Sequence, residues 1–244
     1  MKQIMSRTIL EVCLALAIIS IASSQDTHPL FSISPAEVKV GRSITVRYDP
    51  TAPSAQLKNV TEVYVDAVIY RQHIYEDDNQ PARADARLKK DGDQWVGTLS
   101  IDDPEAKYIL FRVISGEQKD DNGGKCWDAL VFGDDGKPIR GAYLLRGGYY
   151  AGWGYYYITR PKEVKDSIKA KADLQHELEI YPDDFQAEID LWDLAYDVRG
   201  IDDAAKAASK SELDRLYEKY KGSEMAVYRL FRGYNRIGDR KSVV

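Results

Sequence analysis

Residues 147–157 read Gly-Gly-Tyr-Tyr-Ala-Gly-Trp-Gly-Tyr-Tyr-Tyr, so six aromatic rings and four glycines share eleven positions. This stretch decides the fold because the hydrophobic pattern differs on its two sides. Apolar residues before it tend to recur at every second position, which is typical of strands, and those after it at every third or fourth, which is typical of helices. We therefore expect an α+β chain in which residues 146–160 join a β-domain to a helical segment.

The residues before the joint predict a β-domain over 25–145. Val63, Val65, Ala67 and Ile69 alternate with other side chains, as they do on one face of a strand. The run 108–114 is almost continuously apolar, which predicts a strand covered on both faces. About seven such runs, separated by turn residues, favour an antiparallel Ig-like β-sandwich. We expect Trp95 to lie in its core, although it also resembles the strand Trp of starch-binding sandwiches.

The residues after the joint predict an all-α segment over 161–244. Apolar residues at helical spacing, such as 164, 168 and 172, and intervening breakers divide it into helices over about 162–180, 184–198, 202–219 and 223–237. Tyr196-x-x-x-Gly200 recurs as Tyr234-x-x-x-Gly238, a spacing that resembles tetratricopeptide (TPR) helix pairs. Short TPR-like repeats and generic helical hairpins both fit. A concave face lined by Tyr196, Tyr217 and Tyr228 would bind a partner, but we favour helix–helix packing as the explanation of these tyrosines.

The first 24 residues have the pattern of a secretory signal peptide. Lys2 and Arg7 precede an apolar run over 12–22, and two serines follow it. An uncleaved anchor is the alternative. We expect an exported protein of the periplasm or cell surface, without an integral membrane span after signal cleavage. Cys126 is then the remaining cysteine, so no internal disulfide is expected in the mature chain.

Composition disfavours nucleic acid as a partner. The chain has 244 residues and a formal net charge of −5, and no stretch is strongly basic. A mildly acidic protein is not attracted electrostatically to nucleic acid or to anionic membranes.

No catalytic constellation is recognisable, and we expect a non-enzymatic protein without a cofactor. Asp120, Asp121 and Asn122 could supply oxygen ligands to Ca²⁺. The same residue types stabilise turns by bonding their own backbone, and we favour that interpretation. The spacing of the loop does not match an EF-hand.

The aromatic stretch has two interpretations. As a ligand platform, Tyr149, Tyr150, Trp153 and Tyr155 would lie exposed, with the rings roughly coplanar, and stack on sugar faces. As a joint, the rings would be buried between the β-domain and the first helices, where large side chains bury much apolar area. We favour the joint.

Two stretches carry a family resemblance. One runs from Ile33-Ser-Pro35 to Val46-Arg-Tyr-Asp-Pro50, and the other comprises residues 113–124 with the Gly-Lys-Pro hairpin at 136–138. Together they resemble the N-terminal Ig-like and helical region of exported bacterial thioredoxin-like (TlpA-like) thiol–disulfide proteins. In that family a thioredoxin domain follows. The sequence contains no Cys-x-x-Cys, so the resemblance implies an accessory region rather than a redox enzyme.

These patterns lead us to expect an exported accessory module that positions a protein partner. Glycan binding by the β-sandwich is one alternative. Another is that the chain is the N-terminal portion of a longer thioredoxin-like redox protein.

Overall fold

The structure, a computed structural model, describes residues 29–71, 81–153, 164–199 and 202–239, with the backbone alone at 197–199. Within these ranges the chain is α+β, with an antiparallel sheet followed by five helices. The predicted signal peptide lies outside the described residues, and so does the predicted ligand residue Tyr155.

The sheet is antiparallel and strongly curled. Its strands are β1 (Phe31–Ser34), β2 (Arg42–Tyr48), β3 (Val63–Tyr70), β4 (Ala82–Asp91), β5 (Gln94–Ile101), β6 (Tyr108–Ser115), β7 (Gln118–Asp120) and β8 (Trp127–Leu130). They pair in the order β1-β2-β5-β4-β3-β6-β7, and β8 pairs with β6 beside β7.

The curl occurs at β4, which is shared between two groups of strands. Its first part, residues 82–88, pairs with β3, and its last three residues pair with β5. The curl brings β1 close to β8, where the Phe31 ring stacks on Trp127 with centroids 4.5 Å apart. The sheet thus encloses its own apolar core.

Strand alternation sends side chains to two different cores. Val65, Ile109 and Trp95 pack inside the curled sheet, and Trp95 is only 7% exposed. Val68 and Leu110 point to the outer face, where a helix covers them. The prediction that residues 108–114 form a strand covered on both faces is confirmed.

The five helices are α1 (Ala142–Ala151), α2 (Ser167–Ile180), α3 (Phe185–Arg199), α4 (Asp203–Tyr220) and α5 (Glu224–Ile237). The last four begin within five residues of the predicted positions. Asp184 begins α3 because its carboxylate accepts from the Gln186 and Ala187 amides. Ser223 caps α5 through the Ala226 amide.

Helix α1 is not predicted by the sequence pattern, which assigns its residues to the β-domain and the joint. Two adjacent glycines disfavour a helix there, but packing overrides that preference. A side chain at Gly147 would place its Cβ 2.9 Å from Leu174 Cγ, so glycine permits the close approach of α1 and α2. Gly152 ends α1 in the left-handed conformation, with φ 80°.

Candidate functional site

Helix α1 is packed between the sheet and the other helices. Leu145 and Tyr149 face the outer surface of the sheet, with Val68 and Leu110. On the other side of α1, Leu144 and Ala151 pack with the α2 residues Ala170 and Leu174 and with residues of α3. Helix α1 thus connects the apolar cluster on the sheet to that of the helices, and we call it the joint helix.

The predicted ligand residues have different environments. Tyr149 is 2% exposed, and its hydroxyl donates to the Lys125 carbonyl. Tyr150 and Trp153 are half-buried, and Tyr155 lies outside the described residues. The Tyr149 and Tyr150 rings are inclined at 63°. Burial raises the pKa of both phenols. The burial of Tyr149 fits the joint interpretation. The inclined rings of Tyr149 and Tyr150 do not form the flat stacking surface that a ligand platform needs.

A cleft of about 400 Å³ opens beside Tyr150, between the sheet and the start of α2, and we call it the joint cleft. It is lined by aromatic rings, lysines and polar groups, among them Phe31, Asn122, Lys125, Cys126, Trp127, Asp128, Tyr150, Lys165, Asp166 and Lys169. This lining brings together two predicted ligand residues, Tyr149 and Tyr150, and one predicted metal residue, Asn122.

The joint cleft has a positive character. The two carboxylates in it are already engaged: Asp166 accepts from the Ile168 and Lys169 amides at the start of α2, and Asp128 accepts from the Tyr150 hydroxyl at 3.3 Å. Burial raises the pKa of Asp128. Among the described residues, the ammonium groups of Lys125, Lys165 and Lys169 form no salt bridge with a carboxylate. Lys169 lies over the Tyr150 ring, 5.0 Å from its centroid, and its charge acts on Asp128.

The aspartates of the predicted metal loop are hydrogen-bonded within the protein. Asp120 is buried and accepts from the Tyr48 hydroxyl at 2.8 Å and from the Gln56 amide at 2.9 Å. Asp121 accepts from the Gly124 amide and pairs with Lys119 at 2.6 Å.

Asn122 adopts the left-handed conformation, with φ 55°. This is the turn chemistry expected of Asp and Asn. In the described part of the chain, no group of three or more His, Cys, Asp or Glu could hold a metal ion.

Cys126 is a buried thiol at the edge of the joint cleft. Burial raises its pKa to about 12, and the negative charge of Asp121 acts in the same direction. A thiolate is the reactive form of cysteine, so this environment keeps the sulfur unreactive near neutral pH. Cys126 does not lie in a strand: it stands between the turn at 122–125 and β8, with φ 55°.

A second depression lies between α2 and α3, and we call it the α2–α3 groove. It measures about 710 Å³ and is lined by Ser167, Ile168, Lys171, Ala172 and Gln175 of α2 and by Leu191, Leu194 and Ala195 of α3. Ile168 is 84% exposed at its rim, whereas Leu194 is 5% exposed. The groove is mostly apolar and open to solvent.

Sequence reasoning missed this groove because it placed Ile168 on the packing face of its helix. Residues 164, 168 and 172 share one spacing, but only Val164 is buried. Helix α2 instead packs through Ala170, Leu174 and Glu177. One signal in the sequence could have indicated that the face of Ile168 is exposed. Lysines alternate with alanines over 169–172, so the helix is only weakly amphipathic.

The predicted tyrosine surface is divided between core and solvent. Tyr196 is 7% exposed and stacks on Trp192 at 5.4 Å, inside the cluster formed by α3, α4 and α5. Tyr217 packs at the edge of this cluster. Tyr228 is 59% exposed. Helix packing therefore accounts for Tyr196 and Tyr217 but not for Tyr228.

Comparison with known proteins gives no family assignment. No protein-family model matches the sequence, and no curated protein matches it significantly. Within the described residues, none of the helices combines the length and apolar character that crossing a membrane requires.

Proposed function

We propose that the protein is an exported, non-enzymatic module that holds a protein partner, and that the partner docks in the α2–α3 groove. The observation that carries this proposal is the open apolar groove with Ile168 84% exposed at its rim. Large exposed apolar side chains beside an apolar groove are typical of protein interaction sites. The resemblance to the accessory region of exported thioredoxin-like proteins is compatible with this role.

The form of the groove favours an amphipathic helix as its occupant. Both walls are helices, and the α2 wall presents residues 168, 171, 172 and 175, which share one helix face. A third helix would bury its apolar stripe there, as helical partners do in grooves of this kind. Lys171 lies in the lining, so acidic residues beside the stripe would be favoured. Helix α2 has 14 residues, which corresponds to a partner helix of about four turns.

Two alanines provide a matched test. Ala172 lies in the groove, and Ala208 is also exposed but lies on α4, outside it. A photoreactive benzoylphenylalanine at position 172, in the full-length protein of the source cells, should cross-link a partner that the same probe at 208 does not. The partner is then identified, purified and titrated calorimetrically against Ala172→Asp and Ala208→Asp.

We expect Ala172→Asp to weaken the affinity for this partner by about tenfold or more, which is roughly 1.4 kcal/mol. Ala208→Asp should leave it unchanged. Equal cross-linking at both positions, or equal affinity of the two variants, would exclude the groove as the docking site.

The joint cleft supports a second candidate function, glycan binding by the β-domain. Its rings, Phe31, Trp127 and Tyr150, are accompanied by three lysines without ion-pair partners among the described residues. A sugar that carries carboxylates fits this chemistry better than a neutral one, because ammonium groups form charge-assisted hydrogen bonds with carboxylates.

Calorimetric titration with uronic-acid and neutral oligosaccharides tests this candidate. Lys169→Ala should weaken binding of the uronic-acid oligosaccharide, and Lys89→Ala, at an exposed position of β4, should not. No heat of binding at millimolar oligosaccharide would eliminate glycan binding.

The finer architecture belongs to the same proposal. The division of β4 between two groups of strands supports an Ig-like sandwich. Gly238 ends α5 in the left-handed conformation four residues after Tyr234, and the Tyr196 hydroxyl bonds the Arg236 carbonyl. These features support TPR-like helix pairing. If the chain is part of a thioredoxin-like redox protein, the thiol–disulfide chemistry belongs to another domain, because Cys126 is unreactive.

A further inference from the structure

The outer face of α5 is the largest concentration of exposed apolar side chains in the described residues. Among the described residues, four large apolar side chains are exposed. Three of them lie on α5: Met225 at 47%, Tyr228 at 59% and Phe231 at 40%. Ala226, Leu230 and Tyr234 fill the opposite face and pack against α3 and α4. Helix α5 is therefore apolar on two sides, and only one of them is covered by the described residues.

The exposed residues are spaced symmetrically about Tyr228. Met225 precedes Tyr228 by three positions, and Phe231 follows it by three. One position further out, Glu224 and Arg232 are both exposed. With a rotation of 100° per residue, all five residues lie within an arc of about 120° around the axis of α5. A stripe of this width is what a helix typically buries against one neighbour.

This symmetry is what a two-fold axis requires. If a second copy of α5 lies antiparallel on the first, with the axis through the Tyr228 pair, Met225 faces the Phe231 of the second copy. The same register places Glu224 opposite the second copy's Arg232, and the contact occurs twice. An isologous interface needs such self-complementarity, and opposite charges at its ends fix the register.

We propose that the protein forms a two-fold symmetric dimer through the outer face of α5. Tyr, Phe, Met and Arg are enriched at protein interfaces, and this face contains one of each. The interface closes on itself, so association stops at the dimer. This proposal is independent of the α2–α3 groove, which lies on other helices.

Charge reversal tests the register directly. Glu224→Arg places two arginines at each end of the interface, and Arg232→Glu places two acids there, so sedimentation equilibrium should show each single variant mostly monomeric. The double variant restores both opposite pairs and should dimerise like the original protein. An equimolar mixture of the two single variants should also dimerise, because every contact is then between opposite charges.

Controls separate this result from misfolding and from general charge effects. Glu117→Arg makes the same substitution in the exposed turn between β6 and β7 and should leave the dimer intact. Tyr228→Glu should abolish the dimer without altering the far-ultraviolet circular dichroism. We expect an increase of at least tenfold in the dimer dissociation constant for each disrupting variant. A monomer at all concentrations, or a dimer indifferent to these variants, would overturn the proposal.

Discussion

Glu177 links α2 to the start of the joint helix. Its buried carboxylate accepts from the Gly141 amide at 2.6 Å and from the Tyr143 and Leu144 amides at 3.1 and 3.2 Å. The first amides of a helix have no partner within it, so α1 is capped by a side chain from a different helix. Burial, aided by the negative charge of Asp184, raises the pKa of Glu177 to about 7, although the three amide bonds oppose the shift.

This pKa predicts how stability depends on pH. The folded value of about 7 lies above the ordinary value of 4.5, so the folded state binds the proton more tightly than the unfolded state. Glu177 therefore stabilises the folded state most below about pH 4.5, and this contribution to the free energy of unfolding is lost as the pH rises to about 7. The loss from this one group is on the order of 2 to 3 kcal/mol.

Urea unfolding at pH 5 and pH 7.5 measures this effect. Glu177→Gln cannot titrate, so its free energy of unfolding should fall less between the two pH values than that of the original protein. Glu179→Gln, at an exposed position of the same helix, should keep the full decrease. Burial also raises the pKa of Asp193, to about 6, but that group is common to all three proteins. Equal decreases in all three would contradict the assignment.

Single residues also show where sequence reasoning ends. The Asp120–Asn122 turn was predictable because Asp and Asn bond backbone groups within a few positions of themselves. The role of Gly147 was not, because it depends on Leu174 in another helix. A glycine that permits a bend and one that permits close packing look alike in the sequence.

At the scale of the element, a buried ion pair fixes the position of α5. Arg229 donates to Asp190 of α3 at 2.5 Å, and the two side chains are 5% and 0% exposed. Arg229 also lies 3.9 Å from Asp193, which pairs with Arg236 at 2.5 Å. Removing Arg229 takes the close counterion away from the buried Asp190, and breaking a buried ion pair typically costs about 3 to 5 kcal/mol. We expect Arg229→Met to lower the free energy of unfolding by this amount.

The paired substitution distinguishes lost charge compensation from lost packing. Arg229→Met combined with Asp190→Leu removes both charges and should recover most of the stability in chemical denaturation. Lys221→Met disrupts an exposed pair with Glu218 and should leave the stability almost unchanged, because exposed ion pairs contribute little. A double variant as unstable as Arg229→Met would show that the buried charge is not the cause.

The elements differ in how well their sequences predicted them. Strands and helices with strict periodicity were predicted correctly. When one face is covered, apolar residues recur at every second position in a strand and at every third or fourth position in a helix. Helix α1 was missed since it is covered on two faces and contains Gly147 and Gly148, so it has neither a polar stripe nor helix propensity. The α2–α3 groove was missed because a periodic apolar residue such as Ile168 can line either a core or an open groove.

At the scale of the whole molecule, the joint helix makes the sheet and the helices depend on each other. The change of hydrophobic period led us to expect an aromatic joint at 146–160, of which 154–160 lie outside the described residues. It did not predict that the contact is a helix, nor that the joint cleft forms beside Tyr150. Both depend on how α1 lies between the sheet and α2, and distant residues such as Glu177 determine that position.

We therefore expect Tyr149 to determine whether the two parts unfold together. Its ring lies 5.8 Å from that of Tyr108 in β6, within the cluster that joins α1 to the sheet. Tyr149→Ala leaves a cavity there, and truncation of a large buried aromatic side chain typically costs about 3 to 5 kcal/mol. Because this loss falls on the contact between the parts, we expect the variant to unfold in two steps rather than one.

Hydrogen exchange by mass spectrometry across a urea series resolves the two steps, with β3 and β6 reporting on the sheet and residues 185–196 on the helices. Tyr149→Phe keeps the ring, loses the hydroxyl bond to the Lys125 carbonyl and should keep a single transition. If Tyr149→Ala lowered the protection of both parts equally, in one step, the joint helix would not be the element that couples them.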